Sequence, residues 1–359
     1  MSGKVGFYVR GIKMTEIDMD NIKIGVVGAG SWGTALAKLL AEKGFKLDLW
    51  AFEPEVKEQI TTKRENVFFL PGRKLPENIN CSNDLKQVVK EKDLILIVVP
   101  SHCMREVTEN MKSFVSRDSI IVTASKGIEN KTHLTMLEIL KEKLVSVKEK
   151  NFAALSGPSF AKEVAENLPS VVAVASTDKA TAEYVQQIFA CPCFRVYTND
   201  DPVGVEIGGA MKNVIAIAAG ICDGMNMGLN ARAALITRGL TEMTRLGIKL
   251  GANPHTLSGL SGVGDLLLTC TGDLSRNYSV GKRIGAGEKI KDITNEMRMV
   301  AEGVKTTKSV YNLARKLNID LPICNEVYYV LYEDLPVAET KDRLMNRTLK
   351  HELDGVVDH

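Results

Sequence analysis

The stretch 22–50, IKIGVVGAGSWGTALAKLLAEKGFKLDLW, decides the fold. It runs through an apolar strand, Gly28-x-Gly30-x-x-Gly33, an amphipathic helix and a second strand, and Glu53 follows twenty residues past the last glycine. Each piece has a physical task in holding a dinucleotide. Gly28 permits the tight turn out of the strand, Gly30 removes the side chain that would keep a pyrophosphate off the backbone, and Gly33 lets the helix lie close on the sheet. The amides and positive dipole end of a helix starting near Ser31 face that anion. Glu53 stands where a carboxylate accepts from a ribose hydroxyl. A glycine-rich turn with no ligand would share the three glycines; the strand before, the helix after and the acid beyond separate the two readings.

Outward from this unit, β-rich runs at 24–27, 47–50, 94–99, 120–124, 152–155, 171–175 and 194–197 alternate with helical segments. That alternation predicts an α/β fold with a doubly wound, mostly parallel sheet. Nearly every residue of 94–99, LILIVV, is apolar, so the strands should be covered on both faces. The pattern ends at a turn cluster near 198–203. From 204 to about 349 no β-alternation persists, and 205–225 and 231–251 read as helices rich in glycine and alanine. Small residues such as Gly208, Gly209, Ala216 and Gly220 weaken an exposed helix and make sense where helices approach closely. The predicted organisation is a loose N-terminal extension (1–21), a dinucleotide-binding domain (22–200), an all-helical C-terminal domain (201–350) and a tail (351–359).

The 359 residues are 45% apolar and 25% charged, an ordinary globular balance. A formal charge of +2 supplies no global field for nucleic acid or an anionic membrane, so an anionic partner must be met locally. The longest apolar runs are strand length, and no bilayer-spanning segment or membrane insertion is expected. The first 21 residues carry no long apolar region or cleavage site, which reads as a cytoplasmic protein, with Met14 an alternative start. Seven cysteines without a CxxC pair argue against a disulfide framework or a metal site. Cys191-Pro192-Cys193 is the one close pair, read as reduced cysteines in a turn. The glycine- and alanine-rich helices leave open whether they pack within one chain or between the chains of a homodimer.

In an open parallel sheet the ligand crevice lies beyond the carboxyl ends of the strands. Polar residues immediately after apolar runs therefore matter most: Glu53, Pro100-Ser101-His102, Ser125-Lys126-Gly127 and Ser156-Gly157-Pro158-Ser159. Lys126 offers a point charge to an anionic or carbonyl-bearing ligand, against the plainer reading of a snorkelling surface lysine. His102 has no acidic neighbour at a useful spacing and reads as lining the cleft. Lys212 sits in the apolar run VEIGGAMKNVIAIAAG, where burial would lower its pKa and suit it to give or take a proton near neutrality. Asp265 and Thr269, four apart, share one helical face; the acid could tune Lys212 or simply complement a helix dipole. Ser275-Arg276-Asn277 combines a hydroxyl, a guanidinium and an amide at a helix start, a phosphate clamp or only a polar turn.

Taken together and in order, GAGSWGTALA (28–37), KRENVFFLPGRKLP (63–76), VPS (99–101), SKGIE (125–129), LSGPSFAKEV (155–164), EIGGAMKNVIAIAAGI (206–221), LNARAALITRGL (229–240), GLSGVGDLLLTC (259–270), LSRN (274–277) and VAEGV (300–304) resemble the bacterial-type NAD(P)-dependent sn-glycerol-3-phosphate dehydrogenases. The resemblance spans roughly 22–350. It implies reversible hydride transfer between NAD(P)H and dihydroxyacetone phosphate, a small-molecule substrate, to give the glycerophospholipid precursor sn-glycerol 3-phosphate. It also implies that Ser31, Trp32 and Phe52 or Glu53 contact the cofactor, that Lys126 lies near cofactor and substrate, and that Gly157 and Ser159 hold substrate. Ala161 would touch the cofactor, Lys212 would be the proton acceptor, and Thr269 a helper beside it. Asp265, Ser275, Arg276 and Asn277 would bind substrate, while Arg276, Val300 and Glu302 reach back to the cofactor. One departure matters: relatives that look like LWAR or LWGR can meet the 2′-phosphate of NADP with arginine, whereas 49–53 here is LWAFE. Phe52 carries no charge and Glu53 repels a phosphate, so NAD(H) is favoured, with NADP(H) possible through Lys57 or Arg64. The rival readings are a related two-domain dehydrogenase of a β-hydroxyacid or sugar acid, and a non-enzymatic dinucleotide sensor.

Overall fold

The computed structural model describes residues 21–297 and 301–352, together with the backbone of an antiparallel pair, Tyr8–Val9 with Ile12–Lys13. Val300, the rest of the N-terminal extension and 353–359 lie outside the described residues.

Eight runs pair into one sheet: β1 (Ile24–Val27), β2 (Leu47–Trp50), β3 (Ile79–Ser82), β4 (Leu94–Ile97), β5 (Ile120–Thr123), β6 (Phe152–Ser156), β7 (Ser170–Ala175) and β8 (Phe194–Asn199). Their order across the sheet is β8-β7-β6-β5-β4-β1-β2-β3. All neighbours are parallel except β6 and β7, which run antiparallel with Leu155 opposite Val174. β1 lies between β4 and β2, with Val27 level with both Ile97 and Trp50, so the strand order reverses at the glycine-rich turn. A crevice opens above the carboxyl ends of an open sheet at such a point.

Every residue of β1 and β4 is buried, as continuous apolar runs require of strands covered on two faces. One layer packs Leu36 and Leu40 of the helix Ser31–Glu42 against Val26, Leu49 and Leu96; the other packs Met104, Met111 and Leu140 against Val27, Ile95 and Ile97. Full burial of each such side chain contributes about 1.5–3 kcal/mol. β3 was not anticipated, because INCS is short and half polar. At the sheet edge it needs only Ile79 and Cys81 turned inward.

At Pro202 the architecture becomes helical. The Asp201 carboxylate accepts from Gly204 N at 2.8 Å, and Pro202 opens the helix Pro202–Gly224 with its ring at a position that needs no amide. This helix is long and apolar enough to cross a bilayer, and its most apolar window is wholly buried within the protein. The helix read from 205–225 is thus present, and Lys212 and Asn213 interrupt its apolar run. The helices Leu229–Lys249, Asp265–Thr271, Arg276–Gly285 and Glu302–Leu317 pack around it. A side chain at Gly208 would collide with Ser261 O, and one at Gly220 with Tyr278 O. Those small residues therefore serve close packing within the chain.

Side-chain bonds fasten the helical half to the sheet. Glu206, on the long helix, accepts from Leu137 N at 2.8 Å at the start of the helix Met136–Lys143, and Ser261 Oγ donates to Ser156 O at 3.2 Å. Ser309 Oγ donates to Ile128 O at 2.7 Å. The helix bearing Lys212 is thus held directly over the carboxyl ends of β5 and β6.

Candidate active site

The glycine turn has the form its spacing predicts. Gly28 adopts φ +115°, a region that side chains rarely enter, and a Cβ there would strike Val98 O. A Cβ at Gly33 would overlap Gly28 O, so the helix meets the strand as closely as backbone allows. At Gly30 a Cβ would meet nothing within 4 Å, so the space kept by its missing side chain faces the crevice. The helix begins at Ser31 with Thr34 N donating to Gly30 O at 2.9 Å, and no side chain caps its start. Unlike a capped terminus, it presents amides and its positive dipole end to a ligand. Trp32 Nε1, two residues on, is buried without a hydrogen-bond partner. These features fit a dinucleotide pyrophosphate.

The segment after the second strand braces this turn. Asn66, fully buried, donates to Ala29 O at 2.7 Å and to Thr34 Oγ1 at 2.8 Å, and Ser31 Oγ donates to Phe69 O at 2.6 Å. Ala161 and Trp32 pack against one small cluster of Ala35, Leu70 and Ala165, which brings Ala161 to the nucleotide helix. At the end of β2, Phe52 is 75% exposed, and Glu53 forms the start of the helix Pro54–Lys63. Arg64 is engaged by the carbonyls of Pro76 and Ile79.

The second constellation lies where the long helix crosses the sheet. Lys212 Nζ donates to Asp265 Oδ1 at 2.6 Å and to Thr269 Oγ1 at 2.9 Å. Lys126 Nζ donates to the other carboxylate oxygen, Asp265 Oδ2, at 2.6 Å and to Gly157 O at 3.3 Å. Asp265 is fully buried and Lys212 only 8% exposed. Burial lowers the Lys212 pKa to about 8; the Asp265 charge opposes that shift and the Lys126 charge adds to it. Two ammonium groups share one carboxylate, so the cluster carries a net positive charge where an anionic substrate would enter. Removing one partner of such a buried pair typically costs about 3–5 kcal/mol, so the cluster's members hold one another in place.

Around this centre the predicted residues divide. Gly157, at φ +149°, turns its carbonyl to Lys126 and to Ser159 Oγ, which donates to it at 3.0 Å; a Cβ at 157 would lie 2.8 Å from Val172 Cα. Ser275 Oγ accepts from Tyr278 N at 3.2 Å, so this hydroxyl caps the helix Arg276–Gly285. Asn277 Nδ2 donates to Asn213 Oδ1 at 2.9 Å, and its Oδ1 accepts from Gly303 N at 2.9 Å. Of the triplet, Arg276 alone is exposed, and it lies within Coulombic reach of Glu302. Glu302 accepts from Ser101 Oγ at 2.5 Å, and burial holds its carboxyl above the ordinary range. His102 sits exposed in a short turn, its pKa lowered by desolvation and then by Lys305.

Sequence reasoning missed two participants. Asn213 holds Asn277 in place from the residue beside Lys212; the signal was a second polar residue in an apolar helix. Thr306 is buried with its hydroxyl unpartnered, next to Gly127 and Ser101 at the seam of the two halves. Nothing in its local spacing marks it.

Comparison with known proteins agrees with this layout. Models of the N-terminus and the C-terminus of NAD-dependent glycerol-3-phosphate dehydrogenase match residues 23–182 and 201–342. A glycerol-3-phosphate dehydrogenase (NAD(P)+) of Syntrophobacter fumaroxidans is 55% identical over 331 residues, 92% of this chain and 97% of its own. The crystal structure of glycerol-3-phosphate dehydrogenase from Coxiella burnetii superposes with a TM-score of 0.87 at 41% identity, covering 91% of this chain and 99% of that one. The glycerol-3-phosphate dehydrogenase of Saccharomyces cerevisiae gives a TM-score of 0.77 at 30% identity, covering 89% and 98%.

Proposed function

We propose that this chain, which belongs to the NAD-dependent glycerol-3-phosphate dehydrogenase family, uses Lys212 as the group that gives and takes the proton of its reaction. The chain is an NAD(P)-dependent oxidoreductase that interconverts dihydroxyacetone phosphate and sn-glycerol 3-phosphate. The observation that carries the proposed role is the shared carboxylate: Asp265 holds two ammonium groups together beyond the carboxyl ends of β5 and β6, one of them with its pKa lowered by burial to about 8.

The division of labour follows the two halves, 22–200 for the dinucleotide and 201–350 for substrate and proton. The turn Gly28-x-Gly30-x-x-Gly33, with Ser31 and Trp32, would hold the pyrophosphate, and Glu53 with Phe52 the adenosine ribose. Ala161, Arg276, Glu302 and Val300 complete the cofactor set. When bound, the nicotinamide supplies or takes the hydride at the substrate's C2. Lys212 protonates the developing alkoxide oxygen in reduction and accepts that proton in oxidation. Asp265 orients it, and Thr269 Oγ1 fixes a second of its three donor directions. Lys126 gives a point charge to the substrate oxygens while Gly157 positions that lysine. Arg276 meets the phosphate by its fork of donors, with Ser275 and Asn277 setting the helix start from which it projects. Glu53 disfavours a 2′-phosphate, so NAD(H) is the preferred cofactor.

The test is loss of NADH absorbance on adding dihydroxyacetone phosphate, beside a panel of carboxylated and unphosphorylated ketones. Turnover should require the phosphorylated ketone. A carboxylated ketone reduced faster would favour the β-hydroxyacid reading instead.

A further inference from the structure

We propose that Cys191 and Cys193 form a second chemical site, a dithiol that exchanges with small disulfides of the glutathione type. Cys191 N donates to Phe194 O at 3.0 Å and Phe194 N to Cys191 O at 3.1 Å, which closes a tight turn over Pro192 and Cys193. That turn brings the two Sγ atoms to 3.3 Å, one thiol donating to the other. Both are half-buried and within reach of a dissolved reagent, while Cys81, Cys222, Cys270 and Cys324 are buried and Cys103 has no such partner among the described residues. The Lys43 ammonium, held on Ile188 O at 3.0 Å, interacts electrostatically with Cys191.

These surroundings give the two thiols different parts. Cys193 Sγ donates to Asn167 Oδ1 at 3.7 Å, and desolvation, then the hydrogen bond and charge of Cys191, push its thiol up, so Cys193 keeps its proton and Cys191, beside the Lys43 ammonium, is the entering nucleophile. Its thiolate attacks one sulfur of the reagent; a Cys191–S bond forms, the reagent's S–S bond breaks and one thiolate leaves. Capping Cys191 removes its charge from beside Cys193. Cys193 then loses its proton and attacks Cys191 Sγ, which expels the second thiolate. The two cysteines are oxidised by two electrons, the reagent is reduced to two thiols, and the two cysteine protons end on those thiols. The sulfurs must close from 3.3 Å to about 2.05 Å within a very small ring. Strain of that kind makes a bridge easily reduced, suited to exchange and not to stapling the fold. The site lies where Cys193 O accepts from Ser170 N at 2.9 Å, at the amino ends of β7 and β8, the two strands that run antiparallel to β6.

The test treats the full chain with oxidised glutathione, then alkylates and digests with trypsin. Peptide 180–195 carries both cysteines and no other. It should be recovered unalkylated and lighter by two hydrogens, and dithiothreitol should reverse the change. Cys193→Ser should trap a glutathione adduct on Cys191, and Cys191→Ser should load Cys193 about tenfold more slowly. The proposal is overturned if the wild-type peptide stays fully alkylated at a concentration that loads Cys193→Ser. It is equally overturned by a stable glutathione adduct in the wild type, or by no adduct in Cys193→Ser.

Discussion

Replacing Asp265 by asparagine keeps the shape of the side chain that Lys126 and Lys212 share and removes its charge. Lys212 Nζ lies 2.6 Å from Oδ1 in a buried site, so the lost interaction is a hydrogen bond between charged groups, worth about 1.5–3 kcal/mol. At about 1.36 kcal/mol per unit, that lowers the Lys212 pKa by roughly 1–2 units. The wild-type value of about 8 already reflects burial opposed by this carboxylate. The sign is therefore fixed: the neutral amide leaves burial and the Lys126 charge unopposed, and the pKa falls. Reduction of the ketone needs the protonated amine, so kcat/KM in that direction declines above pH 8 in the wild type and about 1–2 units lower in Asp265→Asn. At pH 7.5 the protonated fraction drops from roughly three quarters to between about a quarter and a few hundredths. The assay is the pH profile of NADH oxidation from mildly acid to alkaline pH, with the reverse reaction as its mirror. A limb that stays near 8, or moves to higher pH, would refute the coupling between these two side chains.

Three further outcomes follow from the same geometry. Arg276→Ala should raise KM for dihydroxyacetone phosphate by about tenfold, the worth of one charge-assisted contact, while leaving the dissociation constant of NADH within about twofold; an unchanged KM removes Arg276 from the phosphate site. Because Phe52 offers no charge, a carboxylate at Glu53 would repel a 2′-phosphate and Arg64 is tied to carbonyls, kcat/KM for NADH should exceed that for NADPH by about tenfold, and Glu53→Gln should narrow the gap; a preference for NADPH shows this inference wrong. Burial raises the carboxyl of Glu242, which accepts from Ile323 N and Cys324 N, to about 7, against about 4.5 for an exposed glutamate. Between those values the unfolded chain binds fewer protons than the folded one, so stability falls as pH rises through that window. Thermal midpoints should therefore drop less between pH 5.5 and 7.5 in Glu242→Gln than in the wild type, and equal slopes would contradict it.

What could be read from the residues alone was chemistry that demands particular residue types close together in the chain. The turn at Gly28, Gly30 and Gly33 was legible because a backbone that must touch both a strand and an anion excludes side chains at set positions. Lys212 stood out because a charge in an apolar helix is costly unless it is paired, and Asp265 pairs it. Asp265 and Thr269 were legible as a pair four apart, and the structure places both on Lys212. The limits were those of range. Asn277 was read as a phosphate ligand from its type; that its amide is also held by Asn213 and Gly303, 64 and 26 residues away, is something no local spacing encodes. Ser275 was read as a ligand, and that its hydroxyl also accepts from Tyr278 N at the start of the helix Arg276–Gly285 was not read. β3 escaped because an edge strand needs only alternate burial, and four residues are too few to display it. Cys191 and Cys193 were read as ordinary thiols because sequence shows their separation along the chain but not the turn that brings the sulfurs together.

The claim on which the account rests is that the Lys212 ammonium handles the substrate proton. The most direct measurement is kcat of purified Lys212→Ala, with NADH binding followed separately by fluorescence. The account predicts a fall of about 10²-fold or more in kcat, with the NADH dissociation constant near that of the wild type. Turnover within a few-fold of wild type, in a variant that folds and binds NADH normally, would contradict it.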